Sequence, residues 1–259
     1  MTARRIGLIG AVLVALAGLT YLVLNVTIWA PVDVGTGAPT APTLAAPQDA
    51  AATGGDAAVP ATAAAPDAAS DAPVPAVASG TARIYRLDPT RSEAHYEVGE
   101  TFFDGNRFVV AVGRTKGVAG EIRVDTANPT ASQMGEIVVD ISQLASDKQK
   151  RDNFIRRQAL ASSQFPNARF VTRSIDGFPA DPKMDTPLTF TISGDLTVKD
   201  VTKPVTWAVT STLSADTLSG SATTKVKMSD YGIGPIEIPM LATEDDVLIG
   251  LDFVAVPGE

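Results

Sequence analysis

The chain of 259 residues contains no cysteine and a single histidine, His95. Without cysteine there can be no disulfide, thiolate metal site or cysteine nucleophile. A Ser-His-Asp triad would have to use His95, and a metal site built on imidazole would normally need a second histidine. His95 shares its parity with Glu97 and alternates with Ala94, Tyr96 and Val98, which predicts a solvated side chain on the outer face of a strand. We therefore predict neither a catalytic residue nor a metal site.

Sequence signals for phosphate binding are also missing. There is no G-x-x-x-x-G-K-[ST] loop and no G-x-G-x-x-G turn, so a nucleotide cofactor has no support. The formal net charge of −8 argues against a general nucleic-acid binder, because phosphate neutralisation needs a basic face. We predict a protein that is not an enzyme and that has no cofactor and no nucleic-acid partner.

Charged residues are absent from Ile6 to Ala30, a stretch that follows Arg4 and Arg5. About 20 apolar residues suffice to cross the hydrocarbon core of a bilayer. The positive-inside tendency keeps the two arginines cytoplasmic and places the rest of the chain outside. We expect residues 1–30 to form an uncut signal anchor, with cleavage as the open alternative, and the domain beyond to be periplasmic or extracellular.

The next segment, residues 31–82, has no aromatic side chain and no lysine or arginine. Its composition is dominated by alanine and proline, which leaves little apolar surface to offset the entropy lost on ordering. We expect a disordered, semi-extended tether that leads to one folded domain at residues 83–259.

An all-β pattern fills this domain, and its clearest stretch runs from Leu188 to Val209. Apolar and polar residues alternate there with a period of two, which predicts half-buried antiparallel strands. Gly194 interrupts the pattern, and Lys199 to Pro204 reads as a turn. The residues expected to face solvent are Thr189, Thr191, Thr206 and Thr210.

Two further signals complete the secondary structure. Asp104-Gly105 between apolar flanks predicts a hairpin. Ser146 is a candidate cap for a short helix, Asp147 to Leu160. About eight or nine short strands with one helical insertion predict a barrel or a sandwich, and periodicity leaves both open.

Large apolar residues of matching parity are candidates for the lining of an interior cavity. An eight-stranded barrel is just wide enough to be filled by side chains or to hold one small ligand, so for each ring a packed core is the alternative. The candidates are Tyr96, Phe108, Val110, Phe154, Phe170, Phe190, Ile192, Trp207 and Phe253.

A basic cluster lies on the predicted helix. Arg151, Arg156 and Arg157, with Lys148 and Lys150, could attract an anionic headgroup at the opening of a cavity. The alternative is a solvated helix face, since charge runs on short helices usually face water.

Six stretches in this order resemble the YceI-like family of lipocalin-like, polyisoprenoid-binding barrels: YRLDPTRSEAHYEV, VAGEIRVDTANPTAS, RDNFIRRQAL with SSQFPNARF, GDLTVKDVTKPVTWAV, KMSDYGIG and DDVLIGLDFVAV. The resemblance implies an eight-stranded antiparallel barrel with a helical segment near its opening and an apolar pocket for an isoprenoid or fatty-acyl chain. One departure is Met228, where the family pattern favours arginine before the Ser-Asp-aromatic-Gly turn.

Two functions of different class follow from these features. The first is a membrane-tethered, extracytoplasmic module that holds or carries a polyisoprenoid, an isoprenoid quinone or a fatty-acyl lipid. The second is an adhesion or scaffold module with a filled barrel. A hollow interior favours the first, and a packed interior with an exposed apolar patch favours the second.

Overall fold

A computed structural model describes residues 39–44 and 82–258 of the chain. The predicted signal anchor at residues 1–30 and most of the predicted linker at 31–82 lie outside the described residues. Within the described ranges, no helix combines the length and the apolar character that a membrane crossing requires.

The described part of the domain is all-β, as predicted, and thirteen strands pair antiparallel in one sheet. The strands are β1 Ala82–Leu87, β2 Glu93–Phe102, β3 Arg107–Thr115, β4 Val118–Ala119, β5 Glu121–Asp125, β6 Gln133–Met134, β7 Ile137–Asp140, β8 Asn167–Asp176, β9 Leu188–Val198, β10 Val201–Leu213, β11 Leu218–Lys227, β12 Glu237–Ile238 and β13 Leu241–Pro257.

Strand pairing makes this sheet curl back toward itself. The main path runs β4-β7-β8-β9-β10-β11-β13-β1-β5-β6, and the β2–β3 hairpin adds to β13 beside β1. One stretch of chain, residues 118–125, pairs with β7 through β4 and with β1 through β5. The two sides of the path therefore approach each other along that stretch. The sheet is curled and antiparallel, whereas the predicted count of eight strands stays a prediction.

The stretch with the clearest alternation forms the longest hairpin. β9 continues through Gly194, and β10 begins at Val201 after a two-residue turn in which Lys199 has a φ of 58°. The predicted turn from Lys199 to Pro204 is thus too long. Pro204 lies inside β10, opposite Asp195 of β9. Pairing of β10 with β11 begins only at Ala208, so the missing N–H of Pro204 removes no hydrogen bond to β11.

Aromatic rings on the inner face of the sheet lie over inward-facing glycines. A Cβ atom on Gly194 would stand 2.6 Å from the Phe170 ring, and one on Gly113 would stand 2.2 Å from the Tyr96 ring. Each glycine removes the side chain that would otherwise collide with the ring. Gly194 therefore lies beneath the Phe170 ring, and β9 continues through it without a break.

One short α-helix, α1 Gln149–Phe154, confirms the helical insertion, and a single π-turn extends it through Ile155–Ala159. It is shorter than the predicted helix. The predicted cap is wrong: the N-cap residue is Lys148, and Ser146 precedes it, where its Oγ accepts from the Lys148 N–H at 3.2 Å and donates to Asp152 Oδ1 at 2.6 Å.

Part of the predicted linker lies against the sheet. The Leu44 N–H donates to Glu121 Oε2 at 2.7 Å, and the Leu44 side chain approaches Gly135. The described segment 39–44 thus contacts the sheet at Leu44, whereas the disordered linker at residues 31–82 stays a prediction.

The packing of Phe170 over Gly194 generates a stability prediction. In Gly194→Ala, the new Cβ would stand 2.3 Å from the Val171 carbonyl oxygen, a backbone atom that cannot move aside. We expect a loss of about 1–3 kcal/mol in the free energy of unfolding, as for other overpacked interiors. The control Thr189→Val, on the exposed outer face of β9, should change the free energy of unfolding by less than about 0.5 kcal/mol. Equal stability of both variants in denaturant titrations would contradict this packing.

Candidate functional site: a cavity inside the curled sheet

The curled sheet encloses a cavity of about 1100 Å³. Its walls are the inner faces of the strands, and apolar side chains predominate among them. On β10, for example, Trp207, Val209 and Leu213 line the cavity, whereas the alternating Thr206 and Thr210 are exposed. The alternation read from the sequence thus sorts inside from outside correctly along this hairpin.

Seven of the nine predicted lining residues border the cavity. They are Tyr96, Phe154, Phe170, Phe190, Ile192, Trp207 and Phe253.

Phe108 and Val110 do not border the cavity, so their predicted positions are wrong. Phe108 pairs with Thr101 and Val110 pairs with Gly99, which puts both side chains on the outer face, each more than half exposed. The inner face of β3 carries the small Ala111 instead. Sequence reasoning assigned Phe108 and Val110 to the interior, but the inner face of β3 has the opposite parity, and Gly113 on that face lies under the Tyr96 ring.

The cavity runs along the strands. On β9 its lining extends from Leu188 to Val198, ten residue steps of about 3.3 Å each, or roughly 33 Å. At the Phe190 end, the Phe178 ring packs edge-to-face on Phe190 with centroids 5.1 Å apart. The opposite end lies beneath α1, which contributes Arg151 and Phe154 to the lining.

The middle of the wall is aromatic and almost free of polar groups. Phe170 and Trp207 pack edge-to-face with centroids 5.8 Å apart. Trp207 Nε1 and the Tyr231 hydroxyl are buried in the same apolar cluster without a hydrogen-bond partner among the described groups. Ser211 is a polar exception on the inner face of β10 and is itself buried.

Charge is concentrated at the α1 end. Arg151 donates from Nε and Nη2 to the two carboxylate oxygens of Glu100, each at 2.8 Å, and from Nη1 to Asp147. The Glu100 carboxylate is buried, and the Arg151 side chain is 13% exposed. Arg151 holds the pKa of Asp147 below its usual range, chiefly through this hydrogen bond. The ion pair fastens α1 to β2.

The predicted headgroup site is only partly supported. Arg151 borders the cavity as expected, but two carboxylates already neutralise it. Arg156 is buried and donates to the Leu144 carbonyl oxygen and to Asn153 Oδ1, so its role is structural. Arg157 does not border the cavity. Lys148, which sequence reasoning placed in the cluster without singling it out, does border this end.

His95 has the outward parity that the sequence predicted, but it is not solvated, and it is among the residues that border the cavity. Its ring lies over Gly250 and is only 12% exposed, with Nδ1 3.8 Å from Asp252 Oδ2. The parity of the strand could not reveal this, because the burial comes from a glycine on the neighbouring strand.

Comparison with known proteins identifies the family of this chain. The profile of the YceI-like domain matches residues 85–255, which is nearly the whole described sheet. The chain belongs to the YceI-like family. A UPF0312 protein of Pseudomonas putida is 30% identical over 131 residues, 48% of this chain and 64% of that protein. The chain therefore spans less than two thirds of that relative.

Two solved structures share this fold. BcnA of Burkholderia cenocepacia has a TM-score of 0.52 at 20% identity and covers 66% of this chain and 99% of its own. A polyisoprenoid binding domain from Saccharophagus degradans, implicated in plant cell wall breakdown, has a TM-score of 0.50 at 14% identity and covers 67% and 98%. At these identities the likeness concerns the fold alone.

Several lining residues of this YceI-like domain escaped sequence reasoning. They lie in turns and short strands, where no alternation marks an inner face. Examples are Met134 in β6, Phe178 in the β8–β9 connection and Met240 before β13. The parity of Ser211 with Trp207 and Val209 did carry a signal that could have placed it inside.

The ion pair at the α1 end generates a prediction. Arg151→Ala leaves the Glu100 carboxylate buried without its cation, and breaking such a pair typically costs about 3–5 kcal/mol. We expect a loss of that order in the free energy of unfolding, together with faster amide exchange in α1. Lys148→Ala is the matched control, because its contact with Asp147 is exposed and should matter little. Similar exchange in the two variants would contradict the role given to Arg151.

A second prediction concerns alkaline pH. Burial raises the pKa of the Tyr96 phenol above its ordinary value and that of Tyr231 to about 12, whereas an unfolded tyrosine ionises near about 10. Since a raised pKa favours the neutral folded form, stability is fully present below pH 10 and falls as the pH rises toward 12.

Tyr231→Phe should lessen this alkaline loss. At pH 7 it should cost little, because it removes a buried hydroxyl that has no partner. Urea titrations at pH 7 and pH 11 measure both effects, and an unchanged alkaline loss in the variant would refute the assignment.

Proposed function

We propose that this YceI-like domain binds an amphiphile with one long apolar chain inside the cavity. The observation that carries the proposal is the cavity itself, about 1100 Å³ of space along apolar inner faces that their own side chains do not fill. Ligand cavities are typically roughly 300–1,000 Å³, so this one suits a long or bulky chain. The same observation favours a carrier over an adhesion or scaffold module with a filled barrel.

The orientation of the ligand follows from the distribution of polarity. The chain would lie along β9 and β10 toward Phe190, and its polar group would lie at the α1 end, where Arg151, Glu100 and Lys148 border the cavity. Because Arg151 is already neutralised by Glu100 and Asp147, we propose a neutral or weakly polar head. Polyisoprenoids and isoprenoid quinones are then better candidates than free fatty acids.

We further propose that the sheet acts as an eight-stranded barrel. We count β1 and β2 as one continuous strand and β3, β4 and β5 as another. These two strands make eight together with β7, β8, β9, β10, β11 and β13. The pairing of residues 118–125 with both β1 and β7 supports closure.

Anchoring and location also belong to the proposal. Residues 1–30 carry Arg4 and Arg5 ahead of an uncharged stretch long enough to cross a bilayer. We propose that they hold the domain at the outer side of a membrane, in the periplasm or outside the cell, where it holds or carries its lipid.

A substitution that fills the cavity tests the binding site. Ala222, on the inner face of β11, borders the cavity, so Ala222→Trp should block a long chain and lower binding at least tenfold. Ala208→Trp adds the same side chain to the exposed outer face of β10 and should leave binding unchanged. Native mass spectrometry of the delipidated full chain, offered a nine-unit prenol, measures both. Equal binding by the two variants, or none by the unaltered chain, would defeat the proposal.

A homologous ligand series tests the source of affinity. Each methylene buried in the cavity contributes up to about 0.8 kcal/mol, or about a fourfold decrease in Kd. We expect the Kd of linear alcohols from ten to sixteen carbons to fall steadily with length. An affinity independent of chain length would place the alcohols outside the cavity.

A further inference from the structure

Four large apolar side chains are exposed together at the end of the β2–β3 hairpin. Phe103, Phe108, Val110 and Met240 are each 54–57% exposed. We call these four residues the hairpin patch. Large apolar side chains that are exposed in a cluster mark surfaces that contact a partner or a membrane.

Strand register explains why the four lie on one surface. The Phe103 N–H donates to the Met240 carbonyl oxygen at 3.0 Å, which continues the pairing of β2 with β13. On the other side of β2, Phe108 pairs with Thr101 and Val110 pairs with Gly99, which places both side chains on the outer face. Phe103 follows in the turn directly after β2. The hairpin patch is thus the outer face of the hairpin end.

The inner face of the same hairpin end borders the cavity through Phe102, Arg107 and Leu241. Antiparallel sheets with one face in water normally carry polar residues on that face. At this hairpin end the outer face carries the patch and the inner face carries Phe102 and Leu241, with Arg107 as the charged exception. Met240 connects the two, since it borders the cavity and is also more than half exposed. The patch is therefore continuous with the opening of the cavity at the α1 end.

Charges of both signs surround the patch. The Arg107 guanidinium lies 4.5 Å from the centroid of the Phe102 ring, and Lys148 is exposed at the same end of the cavity. Asp104 lies in the hairpin turn, and the Glu244 carboxylate lies close to Gly99 beside Phe108. A cation on an aromatic ring beside exposed apolar side chains suits a lipid headgroup layer, where phosphates lie above hydrocarbon.

We propose that the hairpin patch docks on a lipid bilayer and brings the α1 end of the cavity to its headgroup layer. The inference rests on the proposed function, because a cavity that exchanges a water-insoluble chain with a bilayer must open toward it. Continuity of the patch with the opening favours a bilayer over a protein partner.

The depth of docking is limited by the backbone. Among the described strands, β3 pairs only with β2, so its other edge from Arg107 to Val112 leaves polar groups unpaired. Such groups cannot enter the hydrocarbon core. The side chains of the patch therefore reach the interface, on the order of 5–10 Å deep, and the sheet itself stays outside.

Because the chain has no cysteine, single labels can test this docking. The full chain, reconstituted into phosphatidylcholine vesicles, carries a bimane fluorophore on Met240→Cys. Thr189→Cys, an exposed site at the Phe190 end, is the control. With doxyl-labelled phospholipid in the vesicles, we expect at least threefold stronger quenching at position 240. Equal quenching at both sites would overturn the proposal.

A second variant tests whether Phe103 and Phe108 cause the excess quenching at position 240. Adding Phe103→Ser and Phe108→Ser to the Met240→Cys chain should abolish the excess quenching, with circular dichroism confirming the fold. Excess quenching that persists in this variant would overturn the patch as the docking surface, as would quenching that appears only with anionic lipid.

The same double variant separates this inference from the proposed function. With Met240 left in place, the Phe103→Ser, Phe108→Ser chain should bind the prenol in detergent solution as tightly as the unaltered chain, because Phe103 and Phe108 do not border the cavity. Loss of the excess quenching with prenol binding retained would show that Phe103 and Phe108 act in membrane docking and not in ligand binding. The effect of Ala222→Trp on prenol binding tests only the proposed binding site in the cavity.

Discussion

Inward-facing rings that lie over inward-facing glycines shape the wall of this domain. Tyr96 over Gly113 and Phe170 over Gly194 place large apolar surface on the inner face while the facing strand contributes no side chain. A sheet whose inner positions were all large would fill its own interior. Here the curl of the strands leaves a cavity of about 1100 Å³, and every functional inference depends on that space.

The two ends of the cavity differ in chemistry, and this difference would orient a bound amphiphile. At one end Phe178 packs on Phe190, and at the other the buried pair of Arg151 and Glu100 fastens α1 to β2. Because a buried ion pair contributes little net stability but is costly to break, its effect is to fix where the helix lies. A fixed helix keeps charged groups at one opening, next to the exposed hairpin patch.

Alternation in the sequence was enough to predict the all-β class, the inner faces of β9 and β10, and most of the cavity lining. It failed at Phe108 and Val110 because side-chain size was used to choose the inner face, whereas the inward Tyr96 ring of β2 requires Gly113 on β3. It also failed at His95, whose burial depends on Gly250 of a strand distant in sequence. The Arg151–Glu100 pair joins residues 51 apart, so no local pattern could have revealed it.

The most direct test of the account locates both ends of a bound chain. Stearic acid methyl esters with a spin label near the head or near the tail would be added to the full chain with isotope-labelled methyl groups. We predict that the head label broadens the methyl signals of Val98 and Met240 and the tail label those of Leu213 and Leu218, while exposed Val171 stays sharp. Broadening confined to outward-facing methyls such as Val171 would contradict the claim that the cavity holds the chain.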